Sequence, residues 1–76
     1  MEKVLTEVIK FLVSNPEEVR IDVEREYKLV RFLVDVPKSE RAKIIGNEGR
    51  VIRGLKSVIG AMGGKEGTDV ELLIVE

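Results

Sequence analysis

The chain has 76 residues, of which 43% are hydrophobic, 36% charged and 4% aromatic. Thirteen lysines and arginines against 14 acidic residues leave a formal charge of −1, and there is no Cys, His or Trp. Those absences exclude thiol and imidazole catalysis, the Ser-His-Asp triad and structural zinc, and the near-neutral total gives no general reason to expect a nucleic-acid partner.

From Glu2 to Ser14, Val4, Leu5, Val8, Ile9 and Leu12 recur on one stripe of an amphipathic helix, with Glu2, Lys3, Glu7 and Lys10 turned outward. Asn15-Pro16 stops it, because the residue before a proline is pushed out of the α region. Val19, Ile21 and Val23 then alternate with Arg20, Asp22 and Glu24, the pattern of a strand with one wet face. After the polar stretch Glu24–Lys28, Leu29 to Val36 reads as a second strand, and so short a connection requires the pair to be antiparallel. Pro37 ends that strand, Ser39 is the expected N-cap of a short helix reaching Ile45, and Glu40 suits its first turn. Past the break at Gly46 and Gly49, Val51, Ile52, Leu55, Val58, Ile59 and Met62 predict a helix over Arg50–Met62, ended by Gly63-Gly64. Val70, Leu72 and Ile74 close the chain as a strand, parallel to the second because a helical crossover joins them. The length predicts one domain over residues 1–76; a core of this size supplies only ~3–5 kcal/mol. No apolar run approaches the ~18 residues of a membrane span, and the charged N-terminus lacks the apolar centre of a signal peptide.

The near-neutral total hides a partition. Residues 1–36 hold six basic and eight acidic side chains. Residues 37–56 hold Lys38, Arg41, Lys43, Arg50, Arg53 and Lys56 against only Glu40 and Glu48, and residues 57–76 hold Lys65 against four acids. A cationic segment of +4 therefore lies between anionic ones of −2 and −3, an asymmetry that points to a polyanionic partner. Inside the cationic segment runs Ile44-Ile45-Gly46-Asn47-Glu48-Gly49-Arg50-Val51-Ile52. Two glycines three apart between helices permit a turn too tight for a Cβ and let a phosphate backbone approach the main chain. The N-terminus of the following helix offers an anion site, Ile45 and Ile52 line a floor for bases, and Lys43, Arg50 and Arg53 gather around the loop.

On these residues the chain resembles a KH domain, whose hallmark is an I-G-x-x-G loop between two helices that clamps about four nucleotides. The helix and strand placed ahead of the strand–helix–helix–strand portion resemble the type II variant. That variant is an α+β fold of order α-β-β-α-α-β, with a three-stranded mixed sheet and the helices packed on one face. Over essentially its whole length the chain resembles the small bacterial stand-alone KH proteins of the KhpA family. The resemblance implies a clamp made of Gly46 and Gly49, with Asn47 and Glu48 as the variable loop pair. It also implies Arg50 as the basic residue after the loop and Ile44, Ile45 and Ile52 as groove residues. It further implies single-stranded RNA binding in the cytoplasm, as a post-transcriptional regulator or RNA chaperone. With no His, no Cys and no spaced carboxylate pair near the loop, no enzymatic activity is expected, nor a cofactor, small-molecule substrate or membrane contact. As partner it implies a second copy, or a larger KH-containing protein of the KhpB or Jag type. Loops of the family usually carry a lysine in the variable pair; here Glu48 sets a carboxylate beside the phosphate path, which weakens binding unless Lys43, Arg50 and Arg53 compensate.

Other features are read more plainly. Gly60–Gly63 and Gly64–Gly67 repeat the glycine spacing but mark a helix exit and a turn. Gly49 to Ser57 misses a phosphate-binding P-loop, since Leu55 parts the second glycine from Lys56 and the segment lies in a helix. With Phe11 and Phe32 expected in the core and Tyr27 far from the loop, no stacking platform is expected. Leu29, Leu33, Leu73 and Val75 fall on the strand faces turned away from the helices. They predict an apolar partner patch and hence an alternative function, a KH-shaped protein-interaction module with weak RNA affinity.

Overall fold

A computed structural model describes residues 1–75. Helix α1 (Glu2–Leu12) leads through a 3-10 turn (Pro16–Glu18) into strands β1 (Arg20–Glu26) and β2 (Leu29–Asp35). Helix α2 (Lys38–Ile45), a second 3-10 turn (Asn47–Gly49) and helix α3 (Arg50–Lys65) carry the chain back to strand β3 (Asp69–Val75). The sheet order is β1-β2-β3, with β1 antiparallel and β3 parallel to the central strand. This is the α+β, type II KH topology that the order of elements predicted.

One sheet face is apolar in register: Ile21 stands opposite Val34, Val23 opposite Phe32, and Phe32 opposite Leu72. Against it pack Leu5 and Ile9 of α1, Ile44 of α2, and Leu55 and Ile59 of α3, all in one buried cluster with Val36. Removing such side chains from water stabilises by ~1.5–3 kcal/mol apiece, which is how three short strands and three helices hold together.

The boundaries differ from expectation where a local hydrogen bond decides them. Helix α2 is capped by Pro37 and not by Ser39: Pro37 is extended, its carbonyl accepts the Glu40 N–H at 2.8 Å, and no side-chain cap bond forms. Glu40 stands in the first turn, as expected, and is only 3% exposed. It accepts the backbone N–H groups of Ser14 and Asn15 at 2.9 and 2.8 Å, tying the exit of α1 to α2. Helix α3 runs three residues past Met62, through Gly63-Gly64 to Lys65. Its stop is Gly67, at φ 70°, with Thr68 N–H bonded to Gly63 O at 2.8 Å and Gly67 N–H to Gly64 O at 3.1 Å, the paired bonds of a Schellman motif. Gly63 stays in the helix because it packs on β3: a Cβ there would lie 2.4 Å from Val70 Cγ2.

On α1 the buried stripe is narrower than the sequence pattern, for Val4 and Val8 remain exposed beside buried Leu5 and Ile9. Phe11 is 89% exposed, contrary to expectation, because the helix meets the sheet with one face only. Strand β1 continues to Glu26 through the stretch expected as a connection, leaving Tyr27-Lys28 as a two-residue turn in which Lys28 adopts φ 59°.

Candidate nucleic-acid interface

The chain leaves α2 through Gly46, at φ 77° and ψ 176°, a region of backbone space that is essentially glycine-only. Space forbids a side chain as well, since a Cβ would stand 2.4 Å from Val51 Cγ2 and 2.9 Å from the Val51 backbone nitrogen. Glu48 (φ 56°) and Gly49 (φ 74°) are both left-handed, and the Gly49 N–H closes the turn on Gly46 O at 3.2 Å. The two glycines thus reverse the chain within one tight turn and deliver it to the N-terminus of the 16-residue α3, whose dipole favours an anion there.

The basic residues expected around the loop hold different posts. Arg50 is exposed, with Nη2 3.9 Å from Glu48 Oε2, a surface pair worth ~1 kcal/mol at most. Arg53 donates from Nη1 to the Glu48 carbonyl at 2.7 Å. The same nitrogen would lie 3.2 Å from a Cβ on Gly49, so the guanidinium packs beneath the turn. Lys43 donates to Glu40 Oε1 at 2.7 Å and to the Ser14 hydroxyl. The Lys43 ammonium, then the Asn15 N–H, hold the Glu40 carboxyl below its ordinary range.

Ile45, at the end of α2, and Ile52, in the first turns of α3, are partly exposed and flank the loop, whereas Ile44 is wholly buried in the core and lines no groove. One turn beyond Ile52, Lys56 reaches a hollow of about 220 Å³ along the free edge of β3, lined also by Val70, Glu71, Leu72 and Leu73. In the sequence Lys56 is only one of the cations of residues 37–56, with nothing adjacent to announce this edge. The available signal was the four-residue step from Ile52 to Lys56 together with the outer place of β3 in the sheet.

On the opposite sheet face, Leu33 pairs with Leu73, and Val75 follows two residues along β3. Leu29 does not join them. Between it and Leu33 lies the rung Arg31–Glu71, with Arg31 held to Glu71 at 2.9 Å and to Glu24 at 3.0 Å. The apolar patch is therefore three residues and not four. Among the described residues no group of acidic side chains gathers as a metal site, and no helix is long and apolar enough to cross a membrane.

Comparison with known proteins fits this architecture. A family model described as KhpA/KhpB, KH domain, matches residues 2–74. The chain is 29% identical over 76 residues to the RNA-binding protein KhpA of Listeria monocytogenes, spanning all of both chains. It is 34% identical to that of Chlamydia pneumoniae over 76 residues, covering 97% of that protein. Against the RNA-binding protein KhpA of Streptomyces coelicolor the identity is 36% over 77 residues, covering 95% of it. No solved structure matches significantly.

Proposed function

Because this chain belongs to the KhpA/KhpB family of KH domains, we propose that it binds single-stranded RNA, with phosphates against the Gly46–Gly49 turn and bases over Ile45 and Ile52. The observation that carries this reading is the turn itself. Two positive-φ glycines bring bare backbone to the N-terminus of α3, and the exposed Arg50 stands beside it. Backbone amides and a helix terminus recognise phosphate without reading sequence. The partly apolar floor offers van der Waals contact to whichever bases lie over it. Relatives named RNA-binding protein KhpA over the full length of this chain support the same reading.

Glu48 sets the strength of the clamp. Its carboxylate stands 3.9 Å from Arg50 Nη2 and would compete with RNA for that guanidinium. Fluorescence anisotropy with a short single-stranded RNA tests the assignment. The Asn47→Asp/Glu48→Asp double variant should lose at least tenfold in affinity while keeping its circular dichroism, and unchanged affinity would discard the clamp. Glu48→Lys should bind more tightly than the parent. With two to four phosphates neutralised, log K should fall with log salt at a slope of about −1.4 to −2.8.

A further inference from the structure

The sheet face turned away from the helices has a composition that suits neither RNA nor a second copy of the chain. Alternation and register put six acids on it: Asp22, Glu24, Glu26, Asp35, Asp69 and Glu71. Only Arg20 and Arg31 oppose them, leaving −4, and Arg31 is already held by two of the acids. Within this ring sits the patch Leu33, Leu73 and Val75, with Leu73 45% and Val75 37% exposed. Most of the cationic segment lies on the other side of the molecule, in α2, α3 and the turn between them, and Lys56 reaches the β3 edge beside Glu71 and Leu73.

Three kinds of occupant compete for such a face. A nucleic acid is repelled by it. A second copy would set −4 against −4, and the area is small: three strands ~4.8 Å apart and ~23 Å long present ~330 Å². A stable protein complex buries ~800 Å² per partner. A cationic partner meets no such penalty, and attraction to the acidic ring adds to burial of the three apolar side chains. We propose that this face docks a basic protein segment, with lysines or arginines against Glu24, Glu71 and their neighbours and an apolar side chain over Leu33, Leu73 and Val75. Because the glycine turn and this face lie on opposite sides of the sheet, the domain holds RNA and a basic protein at once and joins them. The docking is weak and salt-sensitive, since charge carries more of it than area.

The probe is a ten-residue peptide alternating lysine and valine, titrated into the full chain and followed by ¹⁵N–¹H spectra, with the glutamate–valine peptide as control. The lysine peptide should move the amides of Leu33, Glu71, Leu73 and Val75 and lose about tenfold in affinity between 50 and 200 mM salt. Leu33→Lys and Val75→Lys should each weaken it tenfold or more without weakening RNA binding. Using two surface positions keeps the test alive if one variant fails to fold. Equal binding of both peptides, or shifts confined to α2 and α3, or none, overturns the proposal. So does sedimentation of the parent as a dimer that Leu33→Lys dissociates, which would assign the face to a second copy. None of these results bears on the RNA clamp, whose own test is substitution of the loop.

Discussion

Arg50 and Arg53 are one helical turn apart and carry the same charge, yet their surroundings separate them. Arg50 projects into solvent beside Glu48, whereas Arg53 spends its Nη1 donor on the Glu48 carbonyl and packs under Gly49. That division yields different signatures in RNA binding. A lost phosphate contact removes about 0.7 from the salt slope, so Arg50→Gln should weaken binding and flatten the slope by that amount. Arg53→Gln should weaken binding with the slope nearly unchanged, because it loosens the turn and takes no phosphate contact away. Anisotropy titrations across a salt series separate the two, and equal slope losses would return Arg53 to the phosphate contacts. The glycine spacing, the flanking isoleucines and the clustered charge were all legible in the sequence. The division of labour among the cations was not, because a carbonyl acceptor exists for Arg53 only once Glu48 turns left-handed. Lys43 likewise looked like a free cation until the exit of α1 folded back to give it Glu40 and Ser14.

Helix α3 shows how glycine can serve opposite ends within one element. A Cβ on Gly63 would meet Val70 Cγ2 at 2.4 Å and the Thr68 carbonyl at 2.8 Å, while at Gly54, Gly60 and Gly64 it would meet nothing within 4 Å. In an open helical position Gly→Ala stabilises by about 0.5–1 kcal/mol, so Gly54→Ala, Gly60→Ala and Gly64→Ala should each raise the urea midpoint. At Gly63 the same gain is outweighed by an overlap costing ~1–3 kcal/mol, and Gly63→Ala should lower the midpoint. A rise at Gly63 would mean that β3 yields without cost. The periodicity of α3 was readable over its whole apolar stripe, but its end was not. Gly63-Gly64 carries the same stop signal as Gly67, and only the tertiary approach of β3 makes Gly63 a packing residue and Gly67 the cap. Element type, order and strand direction followed from alternation, the two prolines and connection length, all of them local. Caps depend on which of several competing donors is satisfied.

For the whole molecule, the junction at Glu40 links acid sensitivity to the association of α1 with α2. A carboxyl held below its ordinary range favours the folded state fully at pH above that range. The contribution fades as pH falls through the depressed value, until the group is protonated in both states. The Lys43 ammonium and the Asn15 and Ser14 amides produce that depression, so stability should drop on acidification in step with the loss of this junction. Urea midpoints measured against pH should show Glu40→Gln less stable near neutrality, with the difference narrowing in acid; parallel curves would place the acid sensitivity elsewhere. The bipolar charge of the molecule was half legible. The cationic segment is contiguous in sequence, but the acidic face is gathered from three strands and needs their register. The same electrostatic division orients a polyanion before contact, since it is drawn to the helices and repelled by the sheet.

The central place of β2 also constrains how the domain comes into being. The β1–β2 hairpin closes through a two-residue turn, whereas β3 reaches β2 across a sequence gap of 40 residues, as between Arg31 and Glu71. Chain-closure entropy is repaid early in the first case and late in the second. Loop length therefore predicts that the hairpin forms first and that the arrival of β3 is the slower step. The glycine turn lies inside the segment that must close, so in that order the clamp would take its shape only when the sheet is complete.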